Sequence, residues 1–296
     1  MSSSEDSIAV VCVDDNASLA DLTATFLERH DETVTARAET DVEVVIERLE
    51  SGDDRFGIPA SSVSPESVES AESTENSART GRPTIDCIVS DYDMPGTNGL
   101  EFLEAVRALD SDIPFILFTG KGSEEIASEA ISAGVTDYLQ KQTSPDQYLV
   151  LANRVRNAVE SYRARRALER SELLFDAIFE DPTTFLGILD PDGTLTNVNR
   201  TALEFVGTTR TGLLGESFWE LPWWNHSAEL QAELREWIRR AADGEYVEYE
   251  ASHYDPDGEC VVIDGTIRPV VRGSEVVALI AEGRANDSEQ RERIRL

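Results

Sequence analysis

The chain has 296 residues, 40% hydrophobic and 28% charged, with 58 Asp plus Glu against 26 Lys plus Arg and a formal net charge of −32. That length accommodates two compact domains, each with its own core. So large an acid excess repels nucleic acid and anionic membrane over most of the surface, which argues against either as a partner.

Residues 8–13, IAVVCV, form a continuous apolar run that reads as a strand and ends in Asp14-Asp15. A helix pattern follows from Asn16 to about Arg29, with Leu19, Leu22, Phe26 and Leu27 on one face. A short β-branched stretch, Thr33 to Ala36, and a helix from Thr40 to Leu49 come next. Residues 51–83 are rich in Ser, Glu, Gly and Pro and hold few large apolar side chains, so they read as a disordered insertion in a helix-to-strand loop. The alternation then resumes. Ile85–Ser90 is a buried strand, Gly99–Leu109 a helix, Ile113–Phe118 a strand, Glu124–Ala133 a helix and Val135–Leu139 a fifth strand. Strands of this kind alternating with helices predict a five-stranded parallel sheet covered on both faces, a doubly wound α/β fold.

A long helix without a breaker is predicted from Asp146 to Phe179. Tyr148, Leu151, Val155, Ala158 and Tyr162 keep a 3-4 spacing for two heptads before Arg165 interrupts it. Arg154, Arg156, Arg163, Arg165, Arg166 and Arg170 make this the one basic stretch, read as a solvated face interleaved with Glu in preference to a nucleic-acid stripe. From Thr184 the pattern changes to a hairpin turning at Asp190–Gly193, short helices, a helix from about Ser227 to Ala242, and strands at Tyr246–Tyr254, Cys260–Val270 and Glu275–Glu282. This describes an α+β domain with an antiparallel sheet.

The three cysteines, Cys12, Cys87 and Cys260, are isolated in strand-like runs and read as core residues, with no disulfide or zinc spacing. No basic amino-terminal segment or long apolar run points to a signal peptide or a membrane span, so a cytoplasmic location is expected. The acids are spread through both halves, which fits a high-salt cytoplasm, where screening removes self-repulsion, better than an acidic tail.

In the parallel sheet, Asp14 and Asp15 end the first strand, Asp91 follows the third, Thr119 ends the fourth, and Lys141 follows the fifth. Loops at the carboxyl ends of such strands converge. Three clustered carboxylates repel unless a cation neutralises them, and hard oxygen ligands favour magnesium. A lysine beside them supplies a point charge for an anionic group such as phosphate. Lys141 is one of only two lysines.

VCVDDN, IVSDYDMPGTNG, FILFTGKG and DYLQK, in that order, resemble the motifs of the receiver domains of two-component response regulators, whose fold is flavodoxin-like. The resemblance spans residues 8–160 apart from the insertion. It implies that Asp91 is the phosphoacceptor, and that Asp14, Asp15, Asp91 and the backbone carbonyl of Asp93 hold Mg2+. It further implies that Lys141 pairs with the phosphoryl oxygens and that Thr119 and Tyr138 act as the switch pair. The family usually places Pro after the lysine, where this chain has Gln142.

Residues 171–284 resemble a PAS domain, carried by ELLFDAIFEDPTTFLGILDPDGTLTNVNRTALEFVG, LLGESFWELPWW and the closing strands ending IAEGR. The expected organisation is a receiver at 1–145 with the insertion at 51–83, a helical linker at 146–180, a PAS domain at 181–284 and a tail at 285–296. Phe218, Trp219, Trp223 and Trp224 either line an apolar pocket or pack the short-helix region. His226 and His253 read as surface or core residues, and no PAS cofactor follows from the residues.

The resulting expectation is a receiver–PAS response regulator of haloarchaeal type. It would take its phosphoryl group from a sensor histidine kinase and act on an unidentified downstream protein, with a homodimer through the linker helix or PAS domain left open. The alternative is a remnant or accessory subunit of a hybrid sensor histidine kinase lacking its catalytic domain. None of His30, His226 and His253 lies in a His-Glu helix motif and no Asn/Gly-rich ATP boxes follow, so no kinase activity is expected. A DNA-binding regulator lacks a stretch for its module.

Overall fold

The computed structural model describes residues 7–51, 85–110, 112–120, 124–142, 144, 146–254 and 258–286. The expected insertion falls outside these residues, except for Ser51. Two units divide between Leu168 and Glu169.

The first unit contains strands β1 (Ile8–Val13), β2 (Val34–Glu39), β3 (Cys87–Ser90), β4 (Phe115–Thr119) and β5 (Asp137–Gln140). Its helices are α1 (Ala17–His30), α2 (Val42–Ser51), α3 (Gly99–Leu109), α4 (Glu124–Ser132) and the start of α5 (Asp146–Phe179). All strand pairs are parallel, in the order β2-β1-β3-β4-β5. Side chains alternate across a strand, and both faces are used. Val10 and Cys12 pack with Leu27, Leu151 and Val155 on one face, and Val11 and Val13 with Val45, Phe102 and Val106 on the other.

Two apolar patterns are used differently from the sequence reading. In α1 the buried positions are Ala20, Thr23, Ala24 and Leu27, whereas Leu19 and Leu22 are exposed. Leu27 sets the phase, and counting back by 3.6 residues reaches the small side chains that lie against the sheet. In α5 the stripe Tyr148, Leu151, Val155 and Tyr162 is buried, and all but Tyr162 belong to the core of the first unit together with Ala152 and Val159. The 3-4 spacing that matches a coiled-coil seam therefore serves a helix lying on a sheet.

Arg154, Arg156, Arg165, Arg166 and Arg170 of α5 are exposed, as a solvated face requires, but most of the arginines of this helix are also ion-paired to aspartates of the first unit. Arg156 pairs with Asp31 at 2.6 Å, Arg163 with Asp86 at 2.8 Å, Arg154 with Asp137 at 3.1 Å, Arg165 with Asp112 at 3.4 Å, and Arg166 with Asp110. Asp86 is only 2% exposed and also accepts from the Ala9 N–H. Burial alone would raise the Asp31 pKa, but hydrogen bonds from Thr33 and Arg156 hold that carboxyl below its ordinary value.

The second unit contains β6 (Phe185–Leu189), β7 (Leu195–Val198), α6 (Arg200–Phe205), a 3-10 turn (Phe218–Glu220), α7 (Ala228–Ala242), β8 (Val247–Tyr254), β9 (Cys260–Arg272) and β10 (Glu275–Ala285). Its sheet is antiparallel, in the order β7-β6-β10-β9-β8. Asn199 and Ser227 cap α6 and α7 by accepting from the Ala202 and Leu230 N–H groups. Gly193 turns the β6–β7 hairpin at φ 88, and a Cβ there would fall 2.5 Å from the Trp219 ring. Leu189, Leu195, Leu234, Ile238, Ile267 and Leu279 form the core.

Cys12 and Cys87 are buried as expected, and burial pushes both thiols up in pKa. Cys260 is exposed. It opens β9 on the strand face opposite to Ile263 and Ile267, which carry the core.

The two protected thiols sit in the first unit and report on its opening. Leu151→Ala should cost about 2–5 kcal/mol and speed thiol-reagent labelling of Cys12 and Cys87, while Cys260 reacts at once in both proteins. Unchanged protection would show that α5 contributes no core to this unit.

Candidate functional site

The strand order places a switch point between β1 and β3, where the connections diverge to opposite faces and leave a crevice at the carboxyl ends of the strands. Asp14 follows β1, Asp91 follows β3, Thr119 ends β4, and Lys141 lies just beyond β5. The Asp91 N–H donates to the Val13 carbonyl at 2.8 Å and the Lys141 N–H to the Thr119 carbonyl at 2.7 Å. The sheet ladder thus extends into the loops and fixes where each side chain starts.

Lys141 Nζ donates to Asp14 Oδ2 at 2.6 Å and to Asp91 Oδ1 at 3.1 Å. Asp14 is buried, and the Asp91 side chain is 11% exposed. Burial alone would lower the Lys141 pKa. The hydrogen bond to Asp14 and the charges of Asp91 and Asp14 outweigh it and raise the pKa above the ordinary value. The remaining carboxylate oxygens are engaged by backbone: Asp14 Oδ1 accepts from the Asn16 N–H at 3.0 Å, and Asp91 Oδ2 from the Asp93 N–H at 3.2 Å.

Asp14, Asp15 and Asp91 each offer an oxygen, and these atoms lie within 4.8 Å of one another. Three carboxylates facing one ammonium leave an uncompensated negative charge. Hard oxygen donors of this number and spacing fit a divalent cation such as Mg2+. Asp15 and Asp93 are exposed, so the crevice is open to solvent on that side.

Thr119 is fully buried at the end of β4. Tyr138 packs against the cluster that contains Phe102 and Leu117, and burial raises its pKa. Its hydroxyl is buried without a hydrogen-bond partner among the described residues. Gln142, where the family usually has Pro, uses the N–H that Pro lacks: it donates to Gln147 Oε1 at 2.6 Å, at the entrance to α5. Gly99 supports the site from below. It follows the capping-box residue Asn98, and a Cβ on it would fall 2.4 Å from the Asp91 carbonyl oxygen and 2.8 Å from Leu117 Cδ2. The motif IVSDYDMPGTNG ends on this glycine, but nothing in it records the close approach to Asp91.

In the second unit a cavity of about 50 Å3 is lined by Phe218, Trp223, Trp224, Tyr249 and His253 among others. Phe218, Trp223 and Trp224 are core residues and also line this space, whereas Trp219 packs against the core without lining it. His253 Nδ1 lies 2.8 Å from the Trp223 carbonyl, which assigns its proton, and exposed His226 pairs through Nε2 with the Ser252 carbonyl.

A family model described as the response regulator receiver domain matches residues 61–153, and one described as a PAS domain matches residues 182–282. The chain carries a response regulator receiver domain followed by a PAS domain. The receiver match begins after β1, so Asp14 and Asp15 lie outside it; the geometry returns them to Asp91 through the β1–β3 pairing. A similar curated protein is the sensor histidine kinase TmoS of Ectopseudomonas mendocina, 33% identical over 128 residues. That stretch is 41% of this chain and 13% of TmoS. Among solved structures, a receiver domain from Clostridium thermocellum is 15% identical, covering 53% of this chain and 98% of its own, with a TM-score of 0.39. The PAS domain of an HTR-like protein from Haloarcula marismortui is 23% identical, covering 42% of this chain and 98% of its own, with a TM-score of 0.34. No helix among the described residues is long and apolar enough to cross a membrane.

Two outcomes follow from these contacts. Gly99→Ala should destabilise the receiver by about 1–3 kcal/mol and displace the Asp91 backbone amide resonance; an unmoved resonance would mean the loop does not rest on Gly99. In the PAS domain, burial lowers the His253 pKa, with His226 adding to the effect and the bond to Trp223 opposing it. A depressed folded-state pKa means that the unfolded chain binds the extra proton first. Stability is therefore full above about pH 6.5 and falls as the pH drops towards the folded value. All four tryptophans lie in this domain, so urea unfolding followed by Trp fluorescence reads it alone. The loss between pH 7.5 and 5.5 should be smaller in His253→Gln than in the unaltered chain.

Proposed function

We propose that the chain is a two-component response regulator in which Asp91 accepts a phosphoryl group from the phosphohistidine of a sensor histidine kinase. The observation that carries this reading is the Lys141 ammonium held between Asp14 and Asp91 at the sheet's switch point. A carboxylate oxygen of Asp91 attacks phosphorus, the P–N bond to the donor imidazole breaks, and an aspartyl phosphate forms. Little covalent work falls to the protein, so positioning and charge neutralisation dominate. Lys141 would turn from its carboxylates towards the incoming phosphoryl oxygens. Asp14, Asp15, Asp91 and the Asp93 backbone carbonyl would hold Mg2+, which when bound offsets the clustered negative charge.

Thr119 is then the residue that moves to meet a phosphoryl oxygen, followed by Tyr138. The unpartnered Tyr138 hydroxyl supports that assignment, because a buried polar group without a partner loses little by moving. Within this reading the phosphorylated receiver acts through the PAS domain on a downstream protein. The acid excess, −32 over the chain, supports a high-salt cytoplasm as the working medium. The likeness to the sensor histidine kinase TmoS supports one other reading, a remnant or accessory subunit of a hybrid sensor histidine kinase lacking its catalytic domain.

Acetyl phosphate with magnesium in high salt should label the protein with a base-labile phosphoryl group. Asp91→Asn should abolish labelling, and Lys141→Ala should slow it on the order of 100-fold. An Asn variant that labels like the unaltered chain refutes the assignment. An accessory subunit would retain the same bound partners whether or not Asp91 is phosphorylated, whereas a switched regulator would change them.

A further inference from the structure

Helix α3 carries a guanidinium that no carboxylate neutralises. Arg107 donates through Nε and Nη2 to the Gly134 carbonyl at 3.1 and 2.9 Å, and through Nη1 to the Ile113 carbonyl at 2.8 Å. A guanidinium has five N–H donors, so one on each terminal nitrogen is left. Among the described residues no carboxylate forms an ion pair with it. The two nearby acids, Asp110 and Asp112, pair instead with Arg166 and Arg165. Burial lowers the Arg107 pKa, and the Arg165 charge adds to that effect while Asp110 and Asp112 oppose it. The charge is therefore held in place by neutral carbonyls and left uncompensated.

Arg107 lines a groove of about 470 Å3 at the amino ends of β4 and β5, where Pro114, Gly134 and Thr136 precede those strands. Asp91 and Lys141 lie at the other end of the same sheet. The volume falls within the roughly 300–1,000 Å3 of small-molecule sites. Arg107, Arg154 and Arg165 line it together with two acids, Asp112 and Asp137, so its local charge is positive in a chain of −32. Both acids are already claimed, Asp137 by Arg154 at 3.1 Å and Asp112 by Arg165 at 3.4 Å. Water fills an open groove of this kind but brings no charge, and a cation is repelled by Arg107. An anion supplies what the wall lacks.

We propose that this groove binds a small organic anion whose carboxylate or phosphate group docks on Arg107 and whose polar body lies along Asn157 and Ser161 of α5. Both of those side chains are exposed and line the groove. The Gly134 and Ile113 carbonyls already hold the guanidinium, so the docking group meets a donor that need not be ordered first. An oxyanion suits it because two N–H groups of a guanidinium can be matched at once. The Arg154 and Arg165 side chains are 55% and 50% exposed in their pairs, and such pairs contribute little, so a second charge on the ligand can draw one of them. The groove shares no residue with the site around Asp91. Failure of Asp91 labelling leaves the proposal standing, and its own failure leaves Asp91 standing.

The probes are malate, which carries only carboxylates, glycerol phosphate, which carries only phosphate, neutral glycerol, and inorganic sulfate. Each is added to the full chain at one fixed, high potassium chloride concentration without magnesium. Proton–nitrogen NMR follows the Arg107 Nε–H and Gly134 amide signals. Saturable movement of both with malate or glycerol phosphate, at concentrations on the order of millimolar, and none with glycerol is the expected result. The tighter of the two identifies carboxylate or phosphate as the docking group. Arg107→Gln should weaken that anion about 10- to 100-fold. Should this variant not fold, because it also loses the bonds to Gly134 and Ile113, Asn157→Glu keeps Arg107 and places a carboxylate at an exposed position in the groove. It should weaken both organic anions by at least about 3-fold, read at Gly134. Glycerol moving the signals as the anions do, sulfate saturating them as tightly as either organic anion, an Asn157→Glu chain that binds like the unaltered one, or no movement at all would overturn the proposal.

Discussion

The ammonium of Lys141 lies between two carboxylates that would otherwise repel each other. Asp14 and Asp91 leave adjacent strands, and their side chains converge on one crevice. Lys141 arrives from the far edge of the same sheet and joins both. A buried carboxylate without such a partner would be costly, so the crevice stays charged only while the three loops keep their relative positions. Asn16 and Asp93 hold the outer carboxylate oxygens through their N–H groups, and Gly99 lets the start of α3 come close enough to the Asp91 carbonyl to support the loop. The chemistry proposed for Asp91 needs this same balance to be adjustable, because an arriving phosphoryl group brings more negative charge to the one lysine.

Helix α5 combines two kinds of attachment. Its apolar stripe completes one face of the parallel sheet, and its arginines reach aspartates at the ends of other elements: Asp31 after α1, Asp86 before β3 and Asp110 after α3. Asp86 is nearly fully buried and shared between Arg163 and the Ala9 N–H. Removing either member of such a pair strands a charge, whereas exposed pairs such as Arg239 with Asp243 contribute little. In an acidic chain whose basic residues are almost all arginine, several arginines are thus spent fastening one helix, and the planar guanidinium suits paired carboxylates better than an ammonium does.

The site was legible in the sequence because strand order and strand ends decide it. Asp14, Asp91, Thr119 and Lys141 each close or follow an apolar run, and a doubly wound sheet gathers such positions. Other features were not legible because they depend on which surface a pattern meets. The spacing of Tyr148, Leu151, Val155 and Tyr162 suits a partner helix or a sheet equally, and only the fold chooses. Leu19 and Leu22 are larger than Ala20 and Ala24, yet the small residues face the sheet. Cys260 shares a strand with buried residues but has the opposite parity. The Trp224 indole N–H, which has no partner among the described residues, is a matter of hydrogen-bond satisfaction that no local pattern records.

The contact between Lys141 and Asp14 joins residues 127 positions apart, and that between Lys141 and Asp91 joins residues 50 apart. Non-local pairing of this kind is slow to form because chain closure precedes the contacts that reward it. No shorter stretch of the polypeptide contains the charged crevice, and a nascent chain acquires it only after its fifth strand has emerged. The activity proposed for Asp91 would therefore double as a readout of complete topology, because a truncated or misregistered receiver lacks the crevice that gathers Asp14, Asp91 and Lys141.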